Sequence, residues 1–231
     1  MDQERIKLWD LPTRIVHWLL AALTVAAVVT GKIGGSAIDW HGRIGLAILG
    51  LITFRFIWGV VGSSHARFAS FFPTARSVVA YLRGQWYGVG HNPLGAISVF
   101  SLLTLIALQI GTGLFSNDDI AFRGPLGNLI GKGLSEQLIG IHKISVNVLI
   151  ALIVLHLGAI LFYTQIKKDD LVRPMITGWK DIPLGAGKSA TGGGVLAFCI
   201  ALLISMAAIY GGSGEWFSTP PPAPPAATPA W

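Results

Sequence analysis

Five apolar runs, at about residues 14–33, 41–62, 94–115, 137–163 and 194–211, constrain this chain more than any other feature. A hydrocarbon core of about 30 Å is crossed by roughly 20 apolar residues in a helix, and the runs come close to that length. They are too long for strands and lack the alternation of an outer-membrane barrel, so backbone groups at membrane depth must be satisfied within helices. The fifth run is the shortest, bracketed by Gly192, Gly193 and Gly194 on one side and Gly211 and Gly212 on the other. The expected fold is all-α and integral to a membrane. Composition agrees: 52% of the 231 residues are apolar and 12% charged, about half the charged share of a soluble domain. A soluble enzyme is excluded.

The formal charge of +6 is spread between apolar runs, which suits topology signals and not nucleic acid. Arg5, Lys7 and Arg14 precede the first span; Arg67, Arg76 and Arg83 follow the second; Lys167, Lys168, Arg173, Lys180 and Lys188 follow the fourth. The opposite side holds only Lys32, Arg43, Arg123 and Lys132. By the positive-inside rule the N-terminus is cytoplasmic and the C-terminus periplasmic. The first run shows no small-residue cleavage site and reads as an uncleaved helix. Trp18, Trp40, Trp58 and Trp216 fall near span ends, where amphipathic rings form an interfacial belt. Residues 63–92 read as a loop and a short amphipathic helix on the inner surface. Residues 219–231, with six prolines and no charge, read as an extended, poorly ordered tail.

The polar residues at membrane depth are chiefly histidines: His17, His41, His142 and His156. Ionisable groups there are rare and are functional candidates by default. His142 and His156 are 14 residues apart, which on one helix is about 21 Å of rise and about 40° of azimuth. They share a face, one near each surface. By depth, His17 pairs with His156 on the inner side and His41 with His142 on the outer side. Facing imidazoles without thiolate or carboxylate partners suit axial ligation of a b-type haem iron, and two such pairs give two haems stacked across the bilayer. Gly42, Gly45, Gly50, Gly111, Gly113, Gly140 and Gly158 leave gaps for a flat porphyrin, or equally for close helix packing. A zinc site would require about three close ligands, often in His-Glu-x-x-His, and that motif is absent. A proton-coupled transporter would place carboxylates at membrane depth, and all eleven acids lie outside the spans or at their edges. The single Cys199 rules out a Cys-x-x-Cys-His haem attachment.

Several motifs occur in order: Trp9-Asp10-Leu11-Pro12-Thr13-Arg14 with His17-Trp18, His41-Gly42-Arg43 with Gly45, Arg55 with Trp58-Gly59, His65-Ala66-Arg67-Phe68, Tyr81-Leu82-Arg83-Gly84, Gly90-His91-Asn92-Pro93-Leu94-Gly95 and Thr112-Gly113-Leu114-Phe115. Over about residues 5–180 the chain resembles the prokaryotic cytochrome b561 family, which includes the b-type cytochrome subunits of nickel–iron hydrogenases. The resemblance implies a diheme respiratory-chain cytochrome of the bacterial inner membrane. Electrons would pass between a redox partner (a hydrogenase, another dehydrogenase or a periplasmic cytochrome c) and the quinone pool. It maps the haem ligands onto His17, His41, His142 and His156.

The expected architecture is a helical bundle with a four-helix haem-binding core over residues 1–180, a fifth transmembrane helix within 181–218 and the tail. Arg14, Arg43, Arg55 and Lys143 lie near the ligands or inside a span, where a cation can neutralise haem propionates or simply reach the lipid headgroups. Arg55 is the strongest candidate, being deepest. His65 and His91 are expected to be structural or surface residues, with His91 placed to cap span three; Gln109 and Asn147 are expected to bond helices. Asp118 and Asp119 make the outer segment a candidate face for a basic partner. The alternative function is a membrane anchor or assembly subunit for a periplasmic oxidoreductase, with no electron path of its own. A homodimer is compatible with either.

Overall fold

The computed structural model describes residues 2–118 and 122–217; the proline-rich tail and Asp119 lie outside them. Five helices are long and apolar enough to cross a membrane: α1 (Leu11–Ile33), α2 (Ala37–Val61), α4 (Pro93–Phe115), α5 (Lys132–Gln165) and α7 (Val195–Ser213). Between them lie α3 (Ala75–Leu82) and α6 (Val172–Thr177). The all-α expectation holds, with one addition. A two-stranded antiparallel sheet joins β1 (Gln3–Lys7) to β2 (Trp179–Pro183), a pairing 176 residues apart that local patterning cannot announce.

Helix starts follow capping chemistry. Asp10 Oδ1 accepts from Thr13 N at 2.7 Å, with Pro12 in the first turn of α1. Asn92 Oδ1 accepts from Gly95 N at 2.7 Å, with Pro93 opening α4. Asn92, and not His91, is therefore the cap of the third span.

α1 packs on α2, α4 on α5, α2 touches α4, and α7 lies along α2. Gly50 and Gly212 permit the last contact, since a Cβ at either would collide with Ile209 or Leu49 across the interface. The buried centre includes Val16, Leu20, Ile48, Ile52, Phe54, Trp58 and Leu103. Large apolar side chains of α5 and α7 such as Ile144, Leu155, Leu196 and Leu203 are exposed, as a lipid-facing surface requires.

Trp58 departs from the interfacial belt. It is 2% exposed, and its indole N–H donates to Asp10 Oδ2 at 2.9 Å. One carboxylate thus caps α1 and holds the end of α2. Trp18, Trp40 and Trp216 remain exposed at helix ends.

Three segments expected on one side of the membrane are knitted together. β1 pairs with β2; Ala190 N donates to Lys7 O at 2.7 Å; Ser64 N donates to Thr191 O at 2.8 Å. The Tyr81 and Tyr163 hydroxyls hydrogen-bond, tying α3 to the end of α5. The chain start, the α2–α3 connection and the stretch after α5 therefore share one face of the bundle. An even number of spans separates them, as the distribution of Lys and Arg anticipated.

Candidate functional site

At the other face, His41 and His142 meet. His41 lies in the second turn of α2 and His142 within α5; their ring centroids are 6.0 Å apart with an interplanar angle of 87°. His41 Nδ1 donates to Ala27 O at 2.8 Å, and His142 Nδ1 donates to Gln109 O at 3.0 Å. A carbonyl oxygen only accepts, so both Nδ1 atoms carry hydrogen. In the neutral ring each Nε2 is then left with its lone pair, the state a metal ligand needs. The surroundings hold these rings in place. Gln109 Nε2 donates to His142 O at 3.1 Å and to Ser145 Oγ at 2.7 Å, so Gln109 bonds helices as expected and also aims a candidate ligand. Thr112 Oγ1 lies 3.2 Å from His142 Nδ1, an orienting role that its sequence position did not reveal.

Glycine seats both rings. A Cβ on Gly31 would lie 3.0 Å from His41 Nδ1, and one on Gly113 would lie 3.2 Å from His142 Cε1. At Gly45 a Cβ would meet nothing within 4 Å. A cavity of about 560 Å³ opens there between α1, α2, α4 and α5, lined by both histidines, Gly45, Gln109 and Gly113 among others. Phe122 covers His41 edge-on at 6.3 Å.

The second group gathers near the opposite face. His17, His156, Arg55 and His91 are within electrostatic reach of one another. His156 Nδ1 is 3.3 Å from Ser98 Oγ. The buried Nδ1 atoms of His17 and His91 have no hydrogen-bond partner, and a buried polar atom in that condition calls for one. Arg55 is 7% exposed, donates to Ala66 O at 3.2 Å and stacks its guanidinium 4.5 Å over Phe68. Arg14 instead donates to Ile176 O, clamping α1 to α6. Arg43 lies over exposed Trp40 at 5.2 Å, and Lys143 lines the cavity beside His41 and His142. Among the described residues no three of His, Cys, Asp and Glu gather as a metal-ion cluster.

His91 is buried between Trp9 and Phe71, with ring centroids at 4.6 and 4.4 Å. His65 Nε2 donates to Lys188 O at 2.9 Å, and so is a surface tie as expected. Burial, reinforced by the charges of Arg55, His17, His65 and His156, pushes the His91 imidazole down to about 3. Between about pH 6.5 and 3 the unfolded chain then binds a proton that the folded chain refuses, so stability falls as pH drops through that window. The expected result is a melting temperature in detergent that declines from pH 7 to pH 4.5, with a shallower decline in His91→Phe. Equal slopes would contradict it.

A family model described as prokaryotic cytochrome b561 matches residues 8–178. The chain is 28% identical over 140 residues to a probable Ni/Fe-hydrogenase B-type cytochrome subunit of Bradyrhizobium diazoefficiens, covering 47% of this chain and 56% of that relative. Longer alignments reach proteins of that description from Azotobacter chroococcum, 22% identical over 77% of this chain and 89% of the relative. The corresponding hydrogenase 1 protein of Escherichia coli is 20% identical, over 77% and 91%. No solved structure matches. The matched stretch runs from Leu8 beside the Asp10 cap to Gly178 after α6 and takes in the three helices, α1, α2 and α5, that carry the paired histidines: the chain belongs to the prokaryotic cytochrome b561 family.

Proposed function

We propose that this protein is a diheme b-type membrane cytochrome, with His41 and His142 holding an outer haem and His17 and His156 an inner one. The observation that carries the reading is the outer pair. A metal–imidazole bond of about 2 Å, with the ring centre about 1 Å beyond the nitrogen, puts two axial rings about 6 Å apart, and the observed separation is 6.0 Å. Both tautomers are already set by backbone carbonyls, and the adjoining cavity has the size of a small cofactor pocket, within the roughly 300–1,000 Å³ such sites occupy. Haem b bound there would supply one-electron ferric–ferrous chemistry. The chain's residues do the rest. The histidines would hold the iron, Gln109 and Thr112 fix the His142 ring, Phe122 shields His41, and Arg55 supplies a buried cation beside the inner pair.

The inner pair supports electron delivery at the face that carries β1, β2 and α3, which the Lys and Arg distribution assigns to the cytoplasm. A cleft of about 300 Å³ beside it is lined by His65, Ser70, Phe71, Trp86 and His91, aromatic walls with hydrogen-bonding groups that suit a quinone head group. The relatives' names suggest a nickel–iron hydrogenase as the redox partner.

The purified protein should contain two b-type haems per chain by pyridine haemochrome and a reduced-minus-oxidised spectrum. A preparation that is folded and haem-free would overturn the reading. Gly45→Leu, which directs a side chain into open space in the outer cavity, should reduce the haem content by about half; an unchanged content would remove the outer cavity as the binding place.

A further inference from the structure

The outer cavity changes character along its depth. Ile48, Ile106 and Leu149 line the part towards the membrane centre, whereas Lys32 and Lys143 stand near the outer end. They approach from different walls, Lys32 from the last turn of α1 and Lys143 from α5 beside His142. Asp118 also lines that end, but its Oδ1 accepts from Phe122 N at 2.9 Å within its own turn. Arg43 is not among the lining residues and instead covers Trp40 on the exposed side of α2.

A haem b has two carboxylates on one edge, and an uncompensated carboxylate withdrawn from water costs several kcal/mol. Resting on the haem reading above, the geometry points to Lys32 and Lys143 as the cations that receive the two propionates of the outer haem, with Arg43 playing no part. The apolar floor then takes the vinyl edge and the charged mouth the propionate edge. The placement fixes which way round the porphyrin sits. Lys32 was assigned by its sequence position only to topology, because a lysine ending a span is what a membrane anchor also looks like.

The two roles differ in what they do to the iron. A cation near a propionate favours the ferrous state, so its removal lowers the midpoint potential; a lysine reaching only lipid headgroups leaves the potential where it was. The test is a potentiometric titration of the full chain in detergent, on Lys32→Ala, Lys143→Ala and Arg43→Ala, with His41→Ala identifying the outer haem as the one lost. Each lysine change should shift the oxidation equilibrium of that haem alone by about tenfold, which is about 59 mV downward for one electron; Arg43→Ala should shift neither haem. Lys32→Arg, which keeps the charge, should restore the native potential and so separates loss of charge from loss of folding. Unshifted lysine variants, or a shift from Arg43→Ala instead, overturn the assignment while the diheme reading stands. Wild-type protein without two haems fails that reading itself.

Discussion

If the protein is the diheme cytochrome proposed above, replacing His142 with alanine should remove one of the two expected haem signals and leave the other intact, and replacing His156 should do the same for its counterpart. The expectation follows from placement on α5. The 14 residues between them amount to about four turns, or about 21 Å, so each ring serves a different half of the membrane. Loss of His142 leaves His41 with no partner across the cavity and frees Gln109 O, while Ser98 and His156 are untouched. Haem content should fall to about half in each variant, and the surviving reduced-minus-oxidised bands should differ between the two. The double variant should be haem-free. Loss of all haem from either single change, in protein that still accumulates in the membrane, would show that the two sites are one cooperative unit and would undo the pairing by depth.

The second large effect concerns Asp10→Ala. The carboxylate has two tasks: Oδ1 takes the Thr13 amide at the start of α1, and Oδ2 takes the Trp58 indole N–H. Losing an N-cap costs about 1 kcal/mol, and a buried donor left without an acceptor costs about 1–3 kcal/mol. A total of about 3 kcal/mol is expected, read as a lower denaturation midpoint by tryptophan fluorescence in detergent. Asp10→Asn, whose amide has one acceptor oxygen, can keep the Thr13 cap but strands the Trp58 N–H against its NH2, and should lose about 1–3 kcal/mol. An alanine variant within about 0.5 kcal/mol of the native protein would show that the two bonds do not hold the helices.

What could be read in advance was whatever repeats on a helical scale. Five spans follow from hydropathy because lipid tolerates few backbone solutions, and the choice of His41 and His142 follows from depth counted along straight helices. What escaped depended on groups meeting from distant segments. Trp58 looked like a belt residue because a tryptophan near a span end generally is one; nothing local shows that its N–H faces Asp10, 48 residues earlier. Gly113 was legible as a gap, but not as the seat of the His142 ring. Gly31 had no local sign, and Thr112 stood only as part of a motif, since their roles are defined by rings on other helices. Lys32 lines the cavity beside His41 whereas Arg43, two residues from His41, does not: proximity in sequence to His41 is not proximity to its cavity.

The short sheet between β1 and β2 has a consequence for biogenesis. Its first strand leaves the ribosome before the five long helices, but its partner follows the helices that carry all four histidines. At roughly 5–20 residues per second, Gln3–Lys7 waits on the order of 10 to 35 seconds for Trp179–Pro183 to be made. Closure of the sheet is therefore a completion event, unavailable to a nascent chain whose fourth long helix has not been inserted. A chain halted before β2 carries an unpaired strand edge at the membrane surface, open to pairing with another chain.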